Sequence, residues 1–118
     1  MRICRYTFEG KIEFGIVEDD RIIALSGEPF TGIAKSNQSR RLDEITLLPP
    51  VQPSKVVAVG LNYQEHIDET GMDKPEAPVL FLKPSTAVIA HQQPILYPKT
   101  AQRVDYEAEL GVVIGKRT

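Results

Sequence analysis

The chain has 118 residues, 42% of them apolar and 25% charged, with a net charge of −2. That length supports one modest core, the composition is that of an ordinary soluble globular domain, and the near-neutral charge gives no broad attraction to nucleic acid or anionic membrane. No apolar run approaches the roughly 20 residues of a membrane span, and Met1-Arg2-Ile3-Cys4-Arg5 lacks the apolar stretch of a signal peptide. The single Cys4 can form no internal disulfide, so a cytoplasmic, reducing compartment is expected.

The first 26 residues read as a β-meander. Cys4, Tyr6 and Phe8 fall on one face of residues 2–8 at period two, Glu9-Gly10 is a turn signal, and Ile12, Phe14 and Ile16 alternate along residues 11–17. Glu18-Asp19-Asp20 is a second turn before a third strand at residues 21–25. Residues 27–45 carry a weaker pattern, with a turn at Pro29-Phe30-Thr31-Gly32 and a polar stretch at 37–41. Leu47-Leu48-Pro49-Pro50-Val51-Gln52-Pro53 reads as an extended linker, because its prolines forbid a helix interior or a central strand. The boundary is placed here, giving a small domain over 1–50 and a second region over 51–118.

Past the linker, Lys55-Val56-Val57-Ala58-Val59 is nearly all apolar, as expected of a strand buried on both faces. Residues 63–70 fit a short helix, with Asn62 as N-cap and Gly71 as its stop. Residues 79–82 form another buried-type strand, and 104–115 a long strand candidate. Too few strands follow the linker to flank that last apolar run, so the chain reads as part of a larger unit.

Two clusters could carry chemistry. In Asp105-Tyr106-Glu107-Ala108-Glu109 a strand would align three carboxylates along one side. Mutual repulsion beside an apolar run calls for a positive partner, such as a hard divalent cation, Mg²⁺ or Mn²⁺; the alternative is a solvated strand end. In His66-Ile67-Asp68-Glu69 a helix makes His66 and Glu69 i, i+3 neighbours. A carboxylate there would orient the imidazole and raise its basicity, as a general base requires; the alternative is an incidental pair on an exposed helix. His91 has no partner in sequence and reads as structural or surface. The phosphate-cradling, zinc-ligand, nucleophile-elbow and basic-aromatic patterns are missing.

Val59-Gly60-Leu61-Asn62-Tyr63-Gln64-Glu65-His66, then Pro78-Val79-Leu80-Phe81-Leu82-Lys83-Pro84-Ser85, then Asp105-Tyr106-Glu107-Ala108-Glu109-Leu110-Gly111-Val112-Val113-Ile114-Gly115-Lys116 occur in that order. With these three motifs the chain resembles the fumarylacetoacetate hydrolase family, in particular its acylpyruvase and 2-hydroxyhepta-2,4-diene-1,7-dioate isomerase-like branch. The likeness covers residues 55–116 closely; residues 1–50 resemble, less specifically, the small β-rich amino-terminal domain of many bacterial members.

The resemblance implies a mainly β (α+β) fold, in which a small meander is followed by the first part of a mixed β-sandwich roll, usually dimeric. It implies a cytoplasmic enzyme using Mg²⁺ or Mn²⁺, with Glu107 and Glu109 as two metal ligands and an aspartate beyond Thr118 as the third. His66 and Glu69 match the family's water-activating pair, and Lys83 matches a lysine that contacts substrate. The activity implied is C–C hydrolysis of a small diketo acid such as an acylpyruvate. The alternatives are isomerisation or decarboxylation of a hydroxymuconate-type dienoate, or an inactive truncated chain serving as an association domain. No nucleic-acid or membrane partner is implied.

Overall fold

The structure is a computed structural model that describes residues 1–116. The chain is mainly β: strands β1 (Arg2–Phe8), β2 (Lys11–Glu18), β3 (Arg21–Leu25), β4 (Lys35–Arg41), β5 (Thr46–Leu48), β6 (Val56–Gly60) and β7 (Val79–Lys83), with one α-helix, α1 (Gln64–Thr70). Single 3₁₀ turns lie at Leu42–Glu44 and Ser85–Ala87. Contacts divide the chain into two compact units, Met1–Val51 with the segment from Ile89 onward, and Gln52–Val88.

In the first unit five antiparallel strands pair in the order β4-β3-β2-β1-β5. Phe8 faces Lys11 across a two-residue loop in which Glu9 and Gly10 both have positive φ, the hairpin geometry that follows the natural twist of two strands. Tyr6 lies opposite Glu13 and Cys4 opposite Gly15. The Tyr6 hydroxyl donates to Glu13 Oε2 at 2.7 Å, and both Tyr6 and Ile22 are fully buried. They can approach because Gly15 leaves a notch between them: a Cβ there would stand 2.2 Å from Ile22 Cγ2, 3.0 Å from the Ile23 carbonyl oxygen and 3.2 Å from Tyr6 Cε1.

Two strands were not expected. β4, Lys-Ser-Asn-Gln-Ser-Arg-Arg, has no apolar residue, and the weak reading of residues 27–45 misses it. It is an edge strand, where polar side chains suit one free side. Its hold comes from the β3 ladder, from Arg21 Nε donating to Ser39 Oγ at 2.8 Å, from the Lys35–Glu18 ion pair at 2.6 Å, and from the Arg40 guanidinium 4.4 Å over the Phe8 ring. β5 takes the start of the expected linker: Leu47 and Leu48 pair with Tyr6 and Arg5 on the opposite edge, and Pro49-Pro50 ends the strand.

In the second unit β6 and β7 form an antiparallel ribbon, Val56 opposite Lys83 and Gly60 opposite Val79. The expectation that both strands are buried fails. Every position of β7 is exposed, with Leu80 at 63% and Leu82 at 70%. A ribbon of two strands has no second layer against which to cover its faces. The long strand expected at 104–115 is not formed either: residues 104–115 carry no regular secondary structure, and Tyr106 and Leu110 are 95% and 83% exposed. Neither sheet takes in this segment, so no ladder holds it as a strand.

Gly15→Ala therefore overpacks the first unit and should cost about 1–3 kcal/mol, read as a lower urea midpoint at unchanged slope; an unchanged midpoint would show the notch to be unnecessary. Burial, followed by the hydrogen bond to Glu13, raises the pKa of Tyr6. A group whose folded pKa is raised contributes stability in full below its unfolded value and loses it as pH rises toward the folded one. Unfolding free energy should thus fall as pH rises above about 10, and Tyr6→Phe should flatten that decline.

Candidate active site

Helix α1 is short, and its ends are set by backbone geometry. Tyr63, not the expected Asn62, is the N-cap; its backbone is extended (φ −111°, ψ 126°) and no side chain caps the helix there. The first helical hydrogen bond runs from Ile67 N to the Tyr63 carbonyl at 3.2 Å. At the far end Gly71 takes the left-handed conformation (φ 66°) that closes a helix. Thr70 Oγ1 donates back to the carbonyls of His66 and Ile67, at 2.9 and 3.2 Å. Gln64 Nε2 donates to Asp68 Oδ1 one turn on, at 2.8 Å. Ile67 is the buried residue of the helix, at 5% exposure.

This frame puts His66 and Glu69 three positions apart on one helix, His66 half-buried beside the Ile67 anchor and Glu69 exposed. Lys83 ends β7 and is exposed, its ammonium 5.7 Å from the centroid of the Phe81 ring two residues earlier on the same side of the strand. His66, Glu69 and Lys83 all belong to the unit Gln52–Val88.

Glu107 and Glu109 belong to the other unit and are both exposed. Asp105, the first acid of that run, pairs with Arg103 Nε at 2.8 Å, so part of the positive charge expected against the acids comes from the chain itself. Arg103, two positions before Asp105, is the signal of this pairing in the sequence. Among the described residues, no group of three or more His, Cys, Asp or Glu gathers that could hold a metal.

His91 is exposed and lies along an open groove in the first unit with Asp20, Arg41, Asp43 and Gln92. There the Arg41 guanidinium donates twice to Asp43, at 2.9 and 2.7 Å, and holds that carboxyl below its ordinary range. Among the described residues no helix is long and apolar enough to cross a membrane.

Residues 55–118 match the fumarylacetoacetate (FAA) hydrolase C-terminal family, and residues 1–50 match the Rv2993c-like amino-terminal family. The chain belongs to the fumarylacetoacetate hydrolase family. An uncharacterized protein of Archaeoglobus fulgidus is 57% identical over 75 residues, 64% of this chain and 30% of that protein. A mitochondrial oxaloacetate tautomerase of Bos taurus is 45% identical over 75 residues, 63% of this chain and 24% of that one. Among solved structures, 5-carboxymethyl-2-hydroxymuconate delta-isomerase of Mycobacterium smegmatis superposes with a TM-score of 0.63 at 35% identity, over 75% of this chain and 35% of that chain. The chain thus spans about a quarter to a third of the length of these relatives.

Proposed function

We propose that this chain carries proton-transfer and metal-anchoring residues of an enzyme acting on a small 2-oxo acid with two oxygens in chelating positions. The observation that carries the reading is that one family match, over residues 55–118, takes in His66, Glu69, Lys83, Glu107 and Glu109 together. A lone Glu-x-Glu or a lone His–Glu helix pair arises easily by chance; all five residues falling within the range of one family match supports reading them together.

Glu107 and Glu109 suit a cation by the chemistry of their donors. They are exposed carboxylates two residues apart, and hard oxygens are what Mg²⁺ and Mn²⁺ take, commonly one or two carboxylates with water and substrate completing the shell. A bound ion of this kind would supply Lewis-acid polarisation of substrate oxygens.

The chain's own residues do the rest. Glu69, three residues from His66 on the same helix, orients the imidazole. In hydrolysis His66 takes a proton from water and the hydroxide adds to the distal carbonyl carbon of the diketo acid; the adduct collapses to a carboxylic acid, the electron pair of the adjacent C–C bond leaves as the enolate of the 2-oxo acid, and His66 returns its proton to that carbon. The Lys83 ammonium pairs with the substrate carboxylate and fixes which end of the molecule faces His66.

A second reading has its own support. The named relatives are a tautomerase and an isomerase, which move a proton without consuming water. His66 would then shuttle the proton between carbon and oxygen, and the substrate would be an enolisable dicarboxylate. Incubation of the intact protein with acetylpyruvate and with oxaloacetate, followed by proton NMR in D₂O, separates the two: cleavage gives two new acids, whereas isomerisation accelerates only keto–enol exchange.

Two substitutions test the assignments. Glu107→Gln and Glu109→Gln should each weaken Mg²⁺ binding by about tenfold or more in calorimetry; an unchanged affinity removes them as ligands. His66→Ala should lower turnover by about 10²–10⁴-fold while Mg²⁺ affinity stays at the wild-type value, and near wild-type turnover would end its role as the proton-transferring group.

A further inference from the structure

The strand-to-helix turn ahead of His66 holds an unusual residue. β6 ends at Gly60 and α1 begins at Gln64, so residues 61–63 must redirect the chain. Leu61 makes that turn with φ +51°, in the left-handed region. Branched apolar side chains seldom adopt that region; glycine and asparagine do so readily. Yet glycine stands just before Leu61 and asparagine just after it.

The residues of the turn differ in exposure. Leu61 is half-buried, while Asn62 and Tyr63 on the helix side are exposed. On the strand side Gly60 is packed at ordinary van der Waals range from Val79 and Phe81, 3.5 and 3.6 Å from the place of a Cβ. Of the three turn residues, the one with the left-handed backbone is thus also the one whose side chain is sheltered from water. His66 follows five residues later, beside the buried Ile67 and within the first turns of a seven-residue helix. A helix so short has little packing of its own to correct its direction.

We infer that Leu61 is a positioning residue: its half-buried side chain pins the elbow in the left-handed conformation and so fixes where α1 presents His66. The inference rests on the reading of His66 as the proton-transferring group. A glycine at 61 would meet the backbone requirement with no strain, but it would leave the opposite sign of φ equally open and let the helix swing. A leucine held there by packing admits one direction. Strain retained where a strain-free residue would serve is the pattern seen at sites that need preorganisation.

The test compares Leu61→Gly and Leu61→Met with the wild type in the intact protein, using oxaloacetate or acetylpyruvate as substrate. Leu61→Gly should lower kcat by about tenfold, with KM within about twofold and only a small change in melting temperature, because relief of the left-handed strain offsets the lost side chain and the freer unfolded chain. The Ile67 amide, whose bond to Tyr63 starts the helix, should exchange with solvent about tenfold faster. Leu61→Met, which keeps an apolar anchor, should restore most of both. The inference is overturned if Leu61→Gly leaves kcat and Ile67 exchange at wild-type values. It is also overturned if kcat falls only in step with melting temperature and Leu61→Met is equally impaired, which is what a merely structural residue would show. If His66→Ala proves fully active, the functional reading fails, and Ile67 exchange in Leu61→Gly alone then decides whether Leu61 sets the elbow.

Discussion

An extended backbone presents a row of N–H and C=O groups that must be paired by another strand or by water. How each extended segment of this chain meets that demand decides how well it is ordered. β1, β2 and β3 have a neighbour on each side, and β4 and β5 close the two edges with polar or proline-terminated segments that need no further partner. Pairing on both sides brings Tyr6 and Ile22 over the Gly15 notch, so that a sheet of five short strands completes a core around fully buried side chains. The β6–β7 ribbon meets the demand along one edge of each strand; β7 stays exposed along its whole length and β6 is mostly half-buried. Residues 104–115 have no strand beside them.

The same constraint explains what could be read from the sequence. The meander was legible because Cys4, Tyr6 and Phe8 alternate with polar residues and because Glu9-Gly10 and Asp19-Asp20 stand where two-residue loops are needed. β4 was not legible: edge strands are recognised by what they pair with, and Lys-Ser-Asn-Gln-Ser-Arg-Arg carries no periodicity of its own. β5 was hidden by the prolines after it, which signal where a strand ends as much as where none can form. At 104–115 the apolar composition describes a strand in waiting, since composition reports suitability for burial while pairing depends on a neighbour.

The candidate site divides in a similar way. Pattern alone left both the carboxylate run and the His–Glu pair open, since each has an ordinary solvated explanation. Their order along the chain, within one family match, is what joins them. The helix between Tyr63 and Gly71 was legible in extent, but its cap was assigned by residue type to Asn62 when backbone geometry gives the role to Tyr63. Leu61 carried no signal at all: a left-handed leucine becomes visible only in the folded backbone. His66, Glu69, Lys83, Glu107 and Glu109 could thus be named as candidates from sequence, whereas the turn ahead of His66 could not.

Chemically, the two ends of the candidate machinery are built differently. His66 and Glu69 are fixed locally, by an anchored elbow, a buried Ile67, a Thr70 hydroxyl on the last turn and a left-handed Gly71. Glu107 and Glu109 stand on a segment outside both sheets. Pairing as the condition for order is most directly tested by amide hydrogen exchange along the 118-residue chain. The account predicts strong protection within the strands of residues 2–25 and exchange close to the unfolded rate along 111–114. Protection of 111–114 equal to that of β1–β3 would contradict it.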